Sequence, residues 1–260
     1  MKKAFFSLFA AAAIVAACTQ PVPAEKQYVI NGTVEGIEGL DSIVLTVPDS
    51  ANPVLAIVPV IDGKFTFTGK FERPIPVLVD FKEDAMNADT IMTLSEGMIM
   101  LEDTIFNVTI KAGVFNNSVE GGSLQRIFNE MNKNIKEQAK LMYELNKKAD
   151  AAETPETEKV AIKHQCDSIT LAICKANVDF VIERMPSEFS NVALPPLAIE
   201  IMDQSLSNNE LLWEMQRLLN AFAKNQPDAY YYDYIRNELD KFMKVNNLGG
   251  MELDEPENKK

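Results

Sequence analysis

The residues best suited to covalent chemistry in this 260-residue chain are three cysteines and one histidine, and their spacing decides how far each can go. Cys166 and Cys174 lie eight apart in a segment that reads as helix, which separates their α-carbons by roughly 12 Å at about 1.5 Å per residue. A disulfide needs them within about 7 Å, so they cannot pair while that helix is intact. Two readings stay open: a free thiol that exchanges with a partner, or two small apolar fillers, with Cys166 on the apolar stripe and Cys174 one turn from Val178. His164 is the only imidazole, two residues from Cys166, so on a helix their side chains point in different directions. A Cys–His pair or a Ser–His–Asp triad would have to use it; the alternative is a solvated helix residue. Gly122-Ser123-Leu124 lacks the second glycine of a nucleophile elbow. No phosphate-cradling loop or dinucleotide fingerprint occurs, and scattered cysteines with one histidine assemble no zinc cluster. Carboxylates are too numerous, at 38, for a pair of them to mark a glycosidase site. The residues therefore point to no catalytic group, metal or cofactor, with an unrecognised hydrolase as the alternative.

The third cysteine sits differently. In "AAAIVAACTQPVPAE", residues 11–25, an apolar run gives way at Cys18 to a polar segment with two prolines. Lys2 and Lys3 precede that run, which is shorter than the ~20 apolar residues a bilayer span takes; a basic start, an apolar middle and a small-residue end describe a cleaved signal. Val15-Ala16-Ala17-Cys18 resembles the bacterial lipobox, and that resemblance makes Cys18 the lipid attachment site, residues 1–17 the signal peptide and 18–27 an acylated tether. An ordinary signal peptide with an incidental cysteine is the alternative. Each buried methylene contributes about 0.8 kcal/mol and stable anchoring takes more than one chain, which a triacylated cysteine supplies.

Removing 17 of the 260 residues leaves 243 and takes Lys2 and Lys3 away, moving the formal charge from −13 to −15. Phosphate binding needs clustered Lys and Arg, so nucleic acid is excluded as a partner. A hydrophobic fraction of 47%, with 14 Phe and 12 Met, is ample for a folded core rather than a bare tether.

The elements that must position these residues fall into two groups. From 28 to 120 the chain alternates apolar and polar positions in about eight short runs, including "YVINGTVEG", "DSIVLTV", "IPVLVDF", "TIMTLS", "GMIML" and "FNVTIKAG". Asp62-Gly63 between two such runs is a hairpin signal, because glycine accepts the positive φ of a tight turn. The pattern predicts an antiparallel β-sandwich or half-barrel. After Gly121-Gly122 the period changes: Leu124, Phe128, Met131, Ile135, Gln138, Met142, Leu145 and Ala149 form one helical stripe. Ile162, Cys166, Ile169, Ile173, Ala176 and Phe180 form another, after a break where Thr154 can cap and Pro155 can open the helix. The two predict a long helical hairpin whose 3.5-residue period favours mutual wrapping. Further helices are expected near 188–204, bent or interrupted at Pro195-Pro196, after a capping box from Ser207 to Glu210, and from about Pro227 to Val245. The fold class is thus α+β, with a β-rich domain over 28–120, a helical domain over 121–245 and a disordered tail over 246–260.

The order of lipobox, "PVIDGKFTFTGKF", "LSEGMIML", "GGSLQRIFNEM" and a helical segment opened by "MPSEFSNVAL" resembles the N-terminal half of Bacteroidetes envelope lipoproteins. In many of these a domain of unknown function precedes a thioredoxin-like domain with a Trp-Cys-x-x-Cys motif. This chain ends about where that domain would start and holds no Cys-x-x-Cys, so the oxidoreductase activity is not carried over. The resemblance implies a lipoprotein of the cell envelope, at the outer membrane's periplasmic face or surface. As an alternative function it suggests an accessory that docks a separate thioredoxin-like oxidoreductase as partner. Asp-Ser/Thr-apolar triplets look like the O-glycosylation acceptors of the same bacterial group, which makes Ser42, Ser50, Thr90 and Thr104 the candidate acceptors and places Ser168 less favourably within a helix. Tyr230 and Tyr232 are the candidate binding surface, on which a sugar face could stack, but Tyr231, Tyr234, Ile235, Glu238 and Phe242 follow helical spacing, and core packing of the cluster is the favoured reading over a binding platform. The function expected is a non-catalytic, membrane-anchored lipoprotein that binds an envelope protein or a surface glycan.

Overall fold

Alternating sequence in the first half of the chain becomes eight strands. A computed structural model describes residues 26–37, 39–48, 54–81, 97–111, 117–133, 135–206, 210–246 and 248. The strands are β1 (Lys26–Glu35), β2 (Ser42–Thr46), β3 (Val54–Pro59), β4 (Lys64–Phe71), β5 (Ile75–Phe81), β6 (Met98–Leu101), β7 (Ile105–Lys111) and β8 (Ser118–Glu120). They form two four-stranded sheets, ordered β4-β1-β7-β8 and β3-β2-β5-β6. All pairs are antiparallel except β1 with β7, which run parallel. The candidate strand "TIMTLS" lies outside the described residues.

The sheets face each other. Ile30, Phe67, Phe106 and Ile110 of the first meet Ile43, Leu45, Val79 and Ile99 of the second in one apolar cluster. Alternation dictates this, because every second residue of a strand points to the same side. Across β1 and β4 the inward positions pair a glycine with an aromatic residue twice, Gly32 with Phe65 and Tyr28 with Gly69. Each ring lies over the glycine opposite it: a Cβ on Gly32 would come 1.9 Å from Phe65 Cζ, and one on Gly69 would come 2.5 Å from the Tyr28 hydroxyl oxygen.

The Asp62-Gly63 turn forms as expected, with positive φ at both residues (51° and 69°) and reciprocal bonds between Ile61 and Lys64 at 2.9 and 3.0 Å. Its flanking strands then part, β3 joining β2 and β4 joining β1. Phe65 and Phe67 thereby enter the shared core from the sheet opposite β3.

Six helices follow among the described residues: α1 (Ser123–Asn132), α2 (Ile135–Asp150), α3 (Glu156–Glu183), α4 (Glu188–Ser205), α5 (Glu210–Asn225) and α6 (Tyr232–Val245). The stripe expected to run unbroken from Leu124 to Ala149 is divided between α1 and α2. The two parts have different tasks: α1 lies against strands β6 and β8, whereas α2 packs on α3.

Helix α1 occupies the side of the sandwich where edge strands β6 and β8 leave backbone groups unpaired. Gln125 accepts the Met100 N–H of β6 at 2.8 Å and donates to Asn129 Oδ1 at 2.9 Å, and Asn129 donates to the Val119 carbonyl of β8 at 2.8 Å. Two side-chain amides one helical turn apart thus span the two edges. The helix is capped from outside its own sequence: Glu102 accepts from the Leu124 N–H at 2.7 Å and the Ser123 hydroxyl at 2.9 Å. A carboxylate there also complements the positive end of the helix dipole.

The hairpin of α2 and α3 is present. It is held by a thiol contact from Cys166 to Asn146 Oδ1 at 3.5 Å, a Thr170 hydroxyl contact to Met142 Sδ at 3.8 Å and an ion pair between Lys148 and Glu158 at 2.7 Å. Thr154 does not cap α3. Its hydroxyl donates instead to the Lys148 carbonyl at 2.6 Å, closing the end of α2, while Pro155 takes the cap position. Helix α2 has no fully buried residue, so with the first half of α3 it forms an arm outside both cores.

The second core belongs to the remaining helices. Helix α4 is its axis, with Val192, Ala193, Leu194, Ala198 and Ile201 at 0% exposure. A helix this apolar all round must be enclosed, and α3, α5 and α6 enclose it. Pro195 and Pro196 remain inside one continuous helix. Proline removes a helix donor and crowds the preceding turn; packing on several sides holds the element through that loss. The two cores meet at β6, where Ile99 and Leu101 enter the sandwich and Met98 and Met100 enter the helical cluster. The capping box lies partly outside the described residues, since Ser207 does. Among the described residues no helix is long and apolar enough to cross a membrane.

Candidate functional site

Where the sandwich meets the helices, Val47, Pro48, Pro76, Pro195, Tyr230, Tyr231 and Tyr234 line a cleft of about 270 Å³. Four elements contribute to it. Val47 and Pro48 follow β2, Pro76 belongs to β5, Pro195 to α4, and the tyrosines lie at the entry to α6.

The tyrosine segment is fixed by polar bonds to the start of α4. Gln226 donates to the Ser187 carbonyl at 3.0 Å and accepts the Ser187 N–H at 3.3 Å. One helical turn along, Asn191 Oδ1 accepts the Tyr231 N–H at 3.4 Å. Ser187 itself caps α4 by accepting from the Ser190 N–H at 3.1 Å, which fixes the helix that carries Pro195. The Tyr230 and Tyr231 rings meet edge to face, with centroids 4.8 Å apart. From the β4–β5 turn Arg73 lays its guanidinium over Tyr230, 3.3 Å from the ring centroid. This cation–π contact joins the sandwich to the tyrosine segment.

Tyr230 is 51% exposed, as expected of a binding ring. Tyr232 is not: it is 7% exposed and stacks on Phe222 at 6.4 Å inside the helical core. The helix begins at Tyr232 rather than near Pro227, and its inward face runs Tyr232, Ile235, Leu239, Met243. Tyr234 moves accordingly from expected core to the cleft, where it is 39% exposed. The Tyr232-Ile235-Leu239-Met243 spacing is present in the sequence as an equally regular stripe. Arg73 and the three prolines carry no such signal, because only the packing of distant segments brings them together.

The cleft offers faces of rings and pyrrolidines, with the Arg73 cation behind one of them. Its volume falls just below the ~300–1,000 Å³ of sites that enclose whole small molecules. It suits one ring-sized group, such as a proline side chain or a sugar ring, presented by something larger. Tyrosine fits such a role because it offers a large rigid face and a polar tip.

The remaining candidates are dispersed. Cys18, Ser50 and Thr90 lie outside the described residues. Ser42 and Thr104 are half-buried at the starts of β2 and β7, and Ser168 is exposed on α3 with its hydroxyl bonded to the His164 carbonyl at 2.9 Å. His164 is exposed on that helix. Cys166 and Cys174 are both buried and unpaired in disulfides. Burial pushes the Cys174 thiol from 9.0 up to about 12, with Glu200 and Glu214 adding repulsion. Cys166 is also raised, by burial and then by Asp167. Among the described residues no group of three or more His, Cys, Asp or Glu is placed to hold a metal ion.

The thiolate is the reactive form, so both thiols are expected to be inert in the folded chain. With Cys18 acylated or replaced, a disulfide reagent at pH 8 should consume neither at a free-cysteine rate, and both should react at once in denaturant. A fast-reacting thiol in the native protein would restore the exchange reading. The raised Cys174 value also sets a pH dependence. Its stabilising contribution is full below the ordinary thiol value of 9.0 and is lost as pH climbs towards about 12, since only the unfolded thiol ionises in that window.

No family model, curated protein or solved structure matches the chain.

Proposed function

We propose that this chain is a lipid-anchored, non-catalytic binding module of the bacterial envelope, which takes a ring-sized group of a partner protein or surface glycan into the cleft between its sandwich and its helices. The observation that carries this reading is the cleft itself: three tyrosines and three prolines from four separated segments converge on one concavity. Large tyrosine faces left half-exposed by an otherwise well-packed fold are surface kept for contact. The anchor is supported by the basic start, apolar run and small residues that lead to Cys18. Docking of a thioredoxin-like enzyme would be one form of the same activity, requiring the cleft and neither buried thiol.

The test places the photoreactive residue p-benzoylphenylalanine at Tyr234 in the lipoprotein in its native envelope, with Ile61, 66% exposed at the Asp62-Gly63 turn, as the control position. The expected result is a discrete adduct from position 234, absent from position 61 and lost on adding Tyr231→Ala. The same adducts from both positions would sink the cleft as the binding site. The adduct's chemistry separates a protein, a glycan and a thioredoxin-like oxidoreductase.

A further inference from the structure

The register of the strands fixes which end of the sandwich holds Lys26. Lys26, the first residue of β1, pairs with Phe71 at the end of β4, and Val29 pairs with Ile105 at the start of β7. A three-residue turn takes the chain from Phe71 to Ile75, so β5 starts at this same end. Thr46 pairs with Leu78, which sets Val47 and Pro48 beside the start of β5, and β3 also begins here with Val54 opposite Thr46. Arg73 sits in the β4–β5 turn and covers Tyr230. The cleft therefore lies at the end of the sandwich where β1 begins, at Lys26.

That end has the surface of something that meets a boundary between apolar and polar media. Val54, Leu55, Ile105, Tyr230 and Tyr234 are 55%, 43%, 57%, 51% and 39% exposed there. Among the described residues, Lys26, Lys70 and Arg73 stand at this end of the sandwich against Glu72, Glu102 and Asp103, and Asp228 and Asp233 are exposed on the tyrosine segment beside it. The opposite end holds the Asp62-Gly63 turn. Eight residue steps separate Cys18 from Lys26, a reach of at most ~29 Å when fully extended.

We propose that this end of the sandwich rests on the phospholipid surface that holds Cys18. The Tyr230 and Tyr234 rings and the Arg73 guanidinium sit at headgroup depth, where amphipathic rings and long cationic side chains are favoured. Val54, Leu55 and Ile105 face the acyl boundary. The cleft then opens at headgroup level and selects partners held at the same membrane. The proposal rests on acylation of Cys18.

The test uses the full lipidated protein in vesicles of phosphatidylethanolamine and phosphatidylglycerol. An environment-sensitive fluorophore is attached in turn to Val54→Cys, Ile105→Cys and the control Ile61→Cys; both native thiols in the described residues are buried. The expected result is a blue-shifted emission from positions 54 and 105, quenched severalfold more by headgroup-labelled lipid than emission from position 61. Protein that floats with the vesicles but gives the same emission from all three positions would overturn the resting face while leaving the anchor intact. Protein that does not float would overturn the anchor, and the resting face with it. Two exposed reporter sites guard against one substitution disturbing the fold.

Discussion

Gly32→Val should cost the protein about 3–5 kcal/mol, the loss seen when a large aromatic side chain is removed from a core. The reason is a collision that no rotamer of the new residue escapes. A Cβ at position 32 would lie 1.9, 2.1 and 2.3 Å from three atoms of the Phe65 ring. The ring is itself 4% exposed and meets Phe67 edge to face at 5.7 Å, so it cannot swing aside within the core. Either β1 leaves β4 or Phe65 leaves the interior, and a typical domain has only about 5–15 kcal/mol to lose. Urea unfolding of the wild type and the variant measures the effect. Adding Phe65→Ala separates this collision from a general dislike of valine, because it vacates the space that valine needs. The double variant should then be less destabilised than the sum of the two single changes, the signature of residues in contact. A Gly32→Val variant within about 1 kcal/mol of wild type would mean that the ring does not lie over the glycine, since even ordinary overpacking costs about 1–3 kcal/mol.

The second large effect belongs to Gln125. Its side chain is 1% exposed and supplies the acceptor for the Met100 N–H, which edge strand β6 cannot pair with another strand. Gln125→Leu fills nearly the same volume yet leaves that buried N–H without a partner, at a cost of about 1–3 kcal/mol. It also strips Asn129 of the donor that orients it towards β8. Chemical denaturation should show the loss, and hydrogen exchange should show it concentrated in β6, β8 and α1. Gln125→Glu gives an independent check through pH. The ionised carboxyl can accept from Met100 but must face the Met98 carbonyl, which the amide Nε2 approaches at 3.4 Å. A protonated carboxyl can donate there instead. That variant should regain stability as pH falls, opposite to the usual acid loss of paired carboxylates. If Gln125→Leu proves as stable as wild type, the two-amide bridge is not what closes this side of the sandwich.

How far such details can be read in advance depends on whether their cause is local. The alternation that buries Ile30, Phe67 and Phe106, the Asp62-Gly63 turn and the α2–α3 hairpin are written in neighbouring residues, and the chain adopts them. The break near Lys133 is not written there, because it arises from the different surfaces that α1 and α2 meet. The parallel pairing of β1 with β7 is equally hidden, since period-two alternation is the same for either direction. In the cleft, Tyr230 can be singled out by residue type, whereas Tyr232 cannot be placed by spacing alone. Turns around Asp228 and Tyr230 delay the start of α6 to Tyr232, and packing against the other helices selects the stripe of Tyr232, Ile235, Leu239 and Met243 over the other regular one.

The central position of β1 bears on when such a chain can fold. Its two neighbours in the sheet lie far ahead in the sequence, with Val29 meeting Ile105 and Lys26 meeting Phe71. Contacts this distant close slowly, because the intervening chain must first give up its freedom. A chain that emerges amino end first therefore presents β1 with nothing to pair with, and the sandwich cannot lock until β7 has followed.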